Sequence, residues 1–180
     1  MDFMHHYDSP LGGITLAGDG EALTGLWFDD QALFDSVPDR PFEEADLPVF
    51  SEAVRWLDIY FSGQAPGFTP KLKMRTTAFR KAVWEILLTI PYGETVTYGE
   101  IAGRIAKQTH RLRMSAQAVG GAVGHNAIAL IIPCHRVIGA NGSLTGYAGG
   151  IGRKAKLLEM EKRGSILASA AKTERKEGEP

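Results

Sequence analysis

The chain has 180 residues, of which 44% are hydrophobic and 23% are charged, an ordinary composition for a globular protein. No stretch approaches the roughly 18 uninterrupted apolar residues of a membrane span, and the first residues lack the basic and apolar regions of a signal peptide. The single cysteine excludes an internal disulfide and any zinc site built on several thiolates. We therefore expect a cytoplasmic protein without a metal site.

Charge is distributed unevenly along the chain. Residues 1–70 carry 13 acidic and 2 basic side chains, residues 71–165 carry 5 acidic and 15 basic ones, and residues 166–180 carry 3 of each. An acidic half joined to a basic half predicts one domain that meets a polyanion and one that does not. The charge alone does not identify the polyanion.

The N-terminal part predicts a small α/β domain. An Asp-Gly pair lies between the β-prone runs Ile14–Ala17 and Leu23–Phe28, which is the pattern of a β-hairpin. The acidic, proline-bearing segment Asp29–Pro48 is predicted as a loop. Apolar residues at helical spacing then predict a helix over Phe50–Phe61. The segment GQAPGFTP at residues 63–70 is predicted as a linker, so we expect the first domain to be residues 1–70.

The second domain, residues 71–165, opens with a predicted helix. Either Thr76 or Thr77 can cap this helix, and its apolar residues recur at helical spacing from Phe79 to Ile90. The sequence Pro-Tyr-Gly that follows Ile90 is expected to stop it.

Two short helices with a basic connection between them come next. Thr97 and Glu100 have the spacing of a capping box, which places Tyr98 on the first turn of a helix ending near Ala106. Ser115 is the predicted N-cap of a second helix over residues 116–124. Two short helices in a basic region are a weak signal for a helix-turn-helix, and we expect a mostly α domain that contains one.

The second of these helices is rich in small residues, including Ala118, Gly120 and Gly121. Each glycine costs helix stability, about 1 kcal/mol relative to alanine, so the pattern needs a reason. Small side chains allow close packing on a neighbouring helix, and they equally allow close approach to a nucleic-acid groove.

The rest of the chain predicts a strand, a helix and a tail. The apolar run Ile128–Ile132 is predicted as a short buried strand. A final amphipathic helix is predicted over Arg153–Arg163, closed by Gly164 at the C′ position. The small and charged residues 166–180 are predicted as a disordered tail.

The lone cysteine, Cys134, follows the predicted strand directly. A free cysteine is most often an inert core residue. Here Pro133 fixes the backbone before it, His135 offers a base beside it, and Arg136 adds positive charge that favours the thiolate. Since neighbouring strand side chains point to opposite faces, Cys134 and His135 cooperate only if the chain bends at the strand end or a water bridges them.

These residues resemble the active-site signature of the O6-alkylguanine-DNA alkyltransferases. The likeness covers residues 76–163 strongly, whereas residues 1–70 match only as the variable N-terminal domain of that family. The motifs that carry it, in the family's order and spacing, are Ile132-Pro133-Cys134-His135-Arg136-Val137, Thr97-Tyr98-Gly99-Glu100-Ile101-Ala102, Ala118-Val119-Gly120-Gly121-Ala122, His125-Asn126, Gly146-Tyr147-Ala148-Gly149-Gly150 and Lys154…Leu157-Leu158…Glu161.

The resemblance implies a role for each catalytic position. Cys134 would accept the alkyl group, His135 would relay its proton through a water, and Glu161 would orient His135. Asn126 would tie the recognition helix to the active-site strand. Tyr98 would help to turn the nucleotide out of the duplex and would protonate the departing guanine.

The resemblance also implies a base pocket, a DNA-contacting surface and a fold. The pocket for the flipped base would be lined by Val137, Tyr147, Ala148 and Gly149. The recognition helix over residues 116–124 would lie in the minor groove, and the residues that contact DNA would be Ser115, Gln117, Ala118, Gly120, Gly121 and Arg136. The N-terminal domain would be ribonuclease-H-like, with a small antiparallel sheet and a helix.

The expected function is DNA repair by direct transfer of a methyl or alkyl group from O6-alkylguanine in double-stranded DNA to Cys134, with O4-alkylthymine left open as a second substrate. Each molecule would act once, because nothing in such a site activates water against a thioether. No cofactor is expected. We expect a monomer and leave open whether it clusters along DNA.

The chain departs from the family pattern at two points. Gln117 stands where many members place an arginine that fills the gap left by the flipped base. Gln117 can hydrogen-bond the orphaned partner base but carries no charge, so extrusion is expected to be slower or to need help from Arg111 or Arg113. The N-terminal zinc ligands of some members are also absent, since the chain has only one cysteine.

Three other functions remain open to test. A lesion-sensing binder of the same fold would lack the acceptor cysteine, which this chain has. A cysteine hydrolase for a small substrate would turn over and would leave the basic charge of residues 71–165 unexplained. A transcription regulator would need base-reading side chains, which the glycine-rich helix largely lacks.

Overall fold

A small sheet begins the fold. The computed structural model describes residues 2–31 and 42–177, and its first strands are β1 (Phe3–Ser9), β2 (Gly12–Gly18) and β3 (Leu23–Phe28), paired antiparallel. A two-residue strand, β4 (Glu43–Glu44), pairs parallel with β1, so the sheet order is β3-β2-β1-β4. The sheet is therefore mixed at one edge.

The predicted hairpin is confirmed as β2 and β3. The Asp19 carboxylate accepts hydrogen bonds from the amides of Glu21 and Ala22, and Gly20 takes a φ of +99°, which glycine adopts without steric cost. The sequence does not predict β1, because its side chains are polar or only partly apolar and alternate weakly. Of the loop predicted over Asp29–Pro48, positions 32–41 lie outside the described residues.

Helix α1 (Pro48–Phe61) lies against this sheet, close to the predicted span. It begins two residues early because Pro48 is favourable in the first turn of a helix. Its buried stripe, which recurs every three or four residues, consists of Val49, Phe50, Ala53, Trp56, Leu57 and Tyr60.

The outer edge of the sheet is covered by two later segments of the chain. The amide of Leu23 donates to the carbonyl of Lys71, and Lys73 donates back to Leu23. Further along the same strand, the amide of Leu26 donates to Ala127 and its carbonyl accepts from Ala129, at 2.9 Å in both cases. Strand β3 thereby holds the segment that leads to Cys134.

Short helices dominate the rest of the chain. Thr77 caps α2 (Ala78–Leu87), which ends before Ile90, although Ile90 is buried. The capping box predicted at Thr97 and Glu100 is present in both directions and begins α3 (Tyr98–Gln108). Ser115 caps α4 (Ala116–Gly124) as predicted. Two parallel two-residue strands, β5 (Val96–Thr97) and β6 (Val137–Ile138), join the start of α3 to the residues after Cys134.

The buried strand predicted over Ile128–Ile132 is wrong. These residues are buried, but they form turns, and only Ile128 makes a single bridge, to Leu26. Leu130 takes a φ of +66°, which a strand does not allow. The backbone groups are satisfied within the turns, by bonds from Ile131 to Ala129 and from Ile132 to Ile128.

The predicted end of the last helix is also wrong. Helix α5 runs from Ile151 to Glu177 and passes through Gly164, so the described part of the predicted disordered tail is helical. The tail is rich in alanine, lysine and glutamate, which favour helix once a preceding turn is formed. No helix in the described ranges is long and apolar enough to span a membrane.

Gly164 is needed for close approach and not as a helix stop. A Cβ at this position would collide with the carbonyl oxygen of Gly63 and would lie 2.7 Å from the Tyr92 hydroxyl. We expect Gly164→Ala to destabilise the fold by roughly 1–3 kcal/mol through overpacking, despite the better helix propensity of alanine. Thermal and urea denaturation measure the loss.

Gly103 provides a matched control for this prediction. It lies inside α3, and a Cβ added there would have no neighbouring atom within 4 Å, so Gly103→Ala should stabilise the protein by about 0.5–1 kcal/mol. If both substitutions raise the free energy of unfolding to a similar degree, the close contact at Gly164 does not affect stability.

Candidate active site

Cys134 begins a short 3-10 helix, Cys134–Arg136. Pro133 precedes it with a φ of −80°, and Cys134 donates its amide to Ile132 at 2.8 Å, so the chain turns sharply after the buried segment. The side chain of Cys134 is 7% exposed. Cys134 and His135 thus lie on a helical turn and not at a strand end.

Asn126 stabilises the turns before the cysteine. It follows α4 directly, its amide nitrogen donates to the carbonyl of Ile132 at 2.8 Å, and its amide oxygen accepts from the backbone of Ile128 at 3.1 Å. The end of α4 and the segment carrying Cys134 are therefore joined by one buried side chain.

The thiol of Cys134 is held in its protonated form by its surroundings. Burial raises its pKa above the ordinary value, and this is the largest effect. The Asn126 side chain, the positive charge of Lys154 and the backbone amides of Cys134 and His135 oppose the rise. A base is consequently needed to ionise the thiol, and these donors stabilise the thiolate once it forms.

His135 and Glu161 form a fully buried pair. Nε2 of His135 donates to Oε1 of Glu161 at 2.6 Å, and both side chains have no exposed surface. Burial lowers the pKa of His135 despite the opposing effect of Glu161, so the imidazole is neutral near pH 7. With its proton on Nε2, His135 has Nδ1 free to accept one, and Nδ1 has no hydrogen-bond partner among the described residues.

Glu161 remains ionised. Burial acts to raise its pKa, but hydrogen bonds and charges from His135 and Arg136 lower it to about 2. Its Oε2 also accepts from the backbone amide of Gly93 at 3.2 Å. The carboxylate is thereby fixed from several sides and can orient His135.

Arg136 does not belong to the DNA-contacting surface predicted for it. It is 8% exposed, and its guanidinium donates to both oxygens of Glu161, at 2.9 and 3.0 Å, and to the carbonyl of Ile90 at 2.7 Å. A buried carboxylate needs a partner of opposite charge, and Arg136 supplies it. The positive charge of Arg136 is therefore paired with the carboxylate of Glu161 and not with a phosphate.

Two residues of this network have no role assigned from the sequence, although one of them, Lys154, belongs to a motif that carries the resemblance. Lys154 is 1% exposed and donates to the carbonyls of Val137 and Thr145, and its charge acts on Cys134. Its spacing from Leu157 and Glu161 on one helical stripe is a signal that finds it. Tyr60 of α1 donates to Oε1 of Glu161 at 2.8 Å, and no local pattern indicates a contact across 101 residues.

Tyr98 lies beside the loop predicted to form the base pocket. Its hydroxyl donates to the carbonyl of Thr145 at 3.0 Å, and its ring lies near Gly120, where a Cβ would be 3.8 Å away. Burial raises the pKa of Tyr98, so the hydroxyl keeps its proton and is a donor at neutral pH. Tyr98 therefore joins α3, α4 and this loop.

The residues predicted to line the base pocket are unequally exposed, and one of them, Tyr147, lies near His135. The ring of Tyr147 lies 6.5 Å from that of His135, and its hydroxyl is buried without a described partner. A Cβ at Gly149 would be 2.7 Å from the Tyr147 ring, so glycine allows that ring its position. Ala148 is partly exposed, whereas Val137 has no exposed surface.

The exposed face of α4 carries most of the residues predicted to contact DNA. Ser115, Gln117, Ala118 and Gly121 are exposed, and Gly120 is half-buried against Tyr98. The opposite face packs on α2, where the Trp84 indole donates to the carbonyl of Ala122 at 2.8 Å. Close packing on a neighbouring helix is therefore observed at Ala122, and close approach to a nucleic-acid groove stays a prediction for the exposed face of α4. Among the described residues, no group of three His, Cys, Asp or Glu side chains could hold a metal.

Comparison with known proteins gives concordant matches over most of the chain. Residues 3–74 match the family model for the 6-O-methylguanine DNA methyltransferase ribonuclease-like domain, and residues 78–163 match that for the DNA binding domain of the same family. A methylated-DNA--protein-cysteine methyltransferase from Mycobacterium tuberculosis is 51% identical over 162 residues, covering 88% of this chain and 93% of its own. One from Methanosarcina acetivorans is 47% identical, covering 86% and 95%.

Solved structures agree. The crystal structure of the Mycobacterium tuberculosis O6-methylguanine methyltransferase has a TM-score of 0.77 and 49% identity, covering 91% of this chain and 94% of its own. A structure of Mycobacterium tuberculosis OGT in complex with DNA has a TM-score of 0.78 and 48% identity, covering 90% and 94%.

Proposed function

Because this chain belongs to the 6-O-methylguanine DNA methyltransferase family, we propose that Cys134 is the acceptor residue of a direct DNA-repair reaction. The protein transfers a methyl or alkyl group from O6-alkylguanine in DNA to its own cysteine, once per molecule. The observation that carries the assignment of the acceptor is the buried Cys134, followed in the same helical turn by a buried imidazole whose Nδ1 has no hydrogen-bond partner among the described residues.

The geometry supports a specific order of proton movements. His135 takes the thiol proton of Cys134 through a water, and Glu161 stabilises the imidazolium that forms. The thiolate attacks the saturated alkyl carbon while the carbon–O6 bond breaks, and its electrons remain on guanine. The guanine ring gains a proton in exchange for the one the thiol lost. Tyr98, which keeps its hydroxyl proton, donates toward the departing guanine.

The nucleotide must leave the duplex for this reaction. The alkyl carbon is unreachable within a stacked base pair, and extrusion costs a few kcal/mol, less for a damaged base. We infer that duplex DNA binds against the exposed face of α4, through Ser115, Gln117, Ala118, Gly120 and Gly121. The basic charge of residues 71–165 supports this, as does the DNA complex of the similar Mycobacterium tuberculosis protein.

The pocket for the flipped base is assigned to the loop that contains Tyr147, Ala148 and Gly149, and to Val137. We also assign residues 1–70 and 71–165 to separate domains, the second carrying the acceptor. We also propose that the protein is cytoplasmic and acts as a monomer without a cofactor. O4-alkylthymine is a second substrate to be tested.

Intact-mass spectrometry tests the assignment of the acceptor. Incubation with a duplex containing one O6-methylguanine should add the mass of one CH2 group per protein, and peptide mapping should place it on Cys134. A second, undamaged duplex should add nothing. Modification of any other residue, or repeated turnover without a mass change, contradicts the assignment.

Gln117 is expected to limit extrusion of the damaged nucleotide. We expect Gln117→Arg to raise the single-turnover transfer rate on duplex DNA by about 3- to 10-fold, since a charged side chain would fill the space left by the base and offset ~1 kcal/mol of the extrusion cost. The rate on single-stranded DNA should not change. Rapid-quench assays on both substrates measure this.

Gln108→Arg adds the same charge elsewhere in the same domain and serves as the control. An equal acceleration by both variants would show that general charge, and not the position of residue 117, sets the rate. An unchanged rate in Gln117→Arg would also refute the hypothesis.

A further inference from the structure

Tyr60 is a residue of the N-terminal domain that reaches the active-site network of the C-terminal one. It lies on α1 with no exposed surface, and its hydroxyl donates to Oε1 of Glu161 at 2.8 Å. The same hydroxyl oxygen lies 3.3 Å from Nε2 of His135. Tyr60 is thus in contact with both partners of the His135–Glu161 pair.

The contact places three donors on one carboxylate oxygen. Oε1 of Glu161 accepts from Nε2 of His135 at 2.6 Å, from Tyr60 at 2.8 Å and from Arg136 at 3.0 Å. Tyr60 and Arg136 disperse negative charge that would otherwise act more strongly on His135. Burial raises the pKa of Tyr60 well above its ordinary value, so its hydroxyl is a permanent donor.

Burial lowers the pKa of His135 and Glu161 opposes this effect, so the protonation state of His135 depends on how much negative charge Glu161 retains. A more basic Glu161 would stabilise the imidazolium before the reaction and would leave no free Nδ1 for the thiol proton. Glu161 and Lys154 on α5 and Arg136 on the 3-10 helix carry the charges that act on His135. The titratable rings that face His135 are Tyr60 on α1, at 6.3 Å, and Tyr147 on the pocket loop, at 6.5 Å, and Cys134 precedes it in the chain. Tyr92, after α2, lies against Tyr60.

We propose that Tyr60 is a positioning residue through which the N-terminal domain keeps His135 neutral, with Nδ1 available to Cys134. The proposal rests on the proposed function, because it assigns the base of that reaction. Packing alone does not account for the hydroxyl. The ring stacks on Trp56 at a centroid distance of 5.1 Å, a contact that phenylalanine would make equally well.

Tyr60→Phe tests the proposal, since it removes only the hydroxyl. Glu161 then interacts more strongly with His135, the imidazole holds its proton to higher pH, and less of the base is available at low pH. We expect the acid limb of the single-turnover transfer rate to move upward by about half a pH unit or more. This corresponds to a loss of roughly 3-fold at the foot of the limb, with the rate at high pH nearly unchanged.

The titration of His135 provides a second measurement that does not need transfer. NMR of the protein without DNA follows the imidazole resonances of His135 as pH is lowered, and the Tyr60→Phe variant should show the same upward displacement. An equal loss of rate at every pH, or a His135 titration identical to that of the unsubstituted protein, overturns the proposal.

Tyr92→Phe is the matched control. Its ring lies 6.1 Å from that of Tyr60, and its buried hydroxyl has no hydrogen-bond partner among the described residues. It therefore removes a neighbouring hydroxyl without removing a donor from Glu161, and its pH profile should match that of the unsubstituted protein. If Tyr92→Phe moves the acid limb as far as Tyr60→Phe does, the shift results from the loss of any nearby hydroxyl and not from the hydrogen bond to Glu161. The proposal then fails.

If Tyr60→Phe does not fold, a variant with 3-fluorotyrosine at position 60 provides a second test of the proposal. Fluorine makes the phenol a stronger donor with little change of shape, so the acid limb and the His135 titration should move downward. Movement upward overturns the proposal. Failure of the unsubstituted protein to accept an alkyl group would instead refute the proposed function, because the His135 titration is measured independently.

Discussion

Cys134→Ala abolishes alkyl transfer and leaves binding to duplex DNA intact: this is the largest effect we expect. The chain has no other thiol, and the donor groups of Asn126 and Lys154 that stabilise a thiolate act at this position. The exposed face of α4 is unaffected, since it lies on a different element. Mass spectrometry after exposure to O6-methylguanine duplex measures the first part, and fluorescence anisotropy measures the second.

Thermal denaturation is the control for this experiment. Cys134 is buried, so alanine leaves a small cavity, and a modest decrease in stability is expected. A variant that fails to fold would indicate that Cys134 serves the core, and residual transfer would indicate another acceptor. Loss of DNA binding by a folded variant would place the binding surface at the cysteine and not on α4.

Arg136→Met should destabilise the protein by about 3–5 kcal/mol, because it leaves the carboxylate of Glu161 buried without its cationic partner. Methionine retains much of the apolar volume, so the loss reports the charge. Urea denaturation at neutral pH measures the change. The expected result differs in kind from that of a phosphate-contacting arginine, whose loss would weaken DNA binding and reduce its salt dependence.

A control variant and a double variant test this prediction further. Arg113→Met removes an exposed arginine of the basic connection and should change stability by less than about 0.5 kcal/mol. The double variant Arg136→Met with Glu161→Gln removes both charges and should recover part of the lost stability, as a double-mutant cycle reports. Additive losses would mean that the two residues do not interact energetically.

Local signals in the sequence predict local structure well here. The capping box at Thr97 and Glu100, the N-cap Ser115 and the Asp-Gly hairpin are each set by contacts within four residues, so the sequence around them contains their cause. Asn126, Glu161 and the Pro-Cys-His-Arg signature are predicted as site residues by resemblance, and the structure brings them together around the cysteine and His135.

The predictions that are wrong also have physical explanations. An apolar run such as Ile128–Ile132 is buried in either a strand or a series of turns, and hydropathy does not distinguish them. Only the side chain of Asn126 and the edge of β3, both outside the run, decide the outcome. The DNA contact that the resemblance implies for Arg136 fails because its partner Glu161 lies 25 residues away, where no local pattern pairs them. Gly164 is predicted as a helix stop because glycine often ends helices. Its actual cause, the close approach of Gly63, lies on a distant segment that the local sequence does not show.

The covered edge of β3 has a consequence for what each half of the chain can do alone. Its main-chain groups are satisfied by residues 71–73 and 127–129, so a fragment ending at residue 70 would leave a row of unpaired donors and acceptors on apolar β3. Such an open edge is a template for aggregation. A fragment beginning at residue 71 would lose β3, which holds the segment leading to Cys134. We therefore expect that neither half of the chain could be inherited alone or recombined into another protein without loss of its fold.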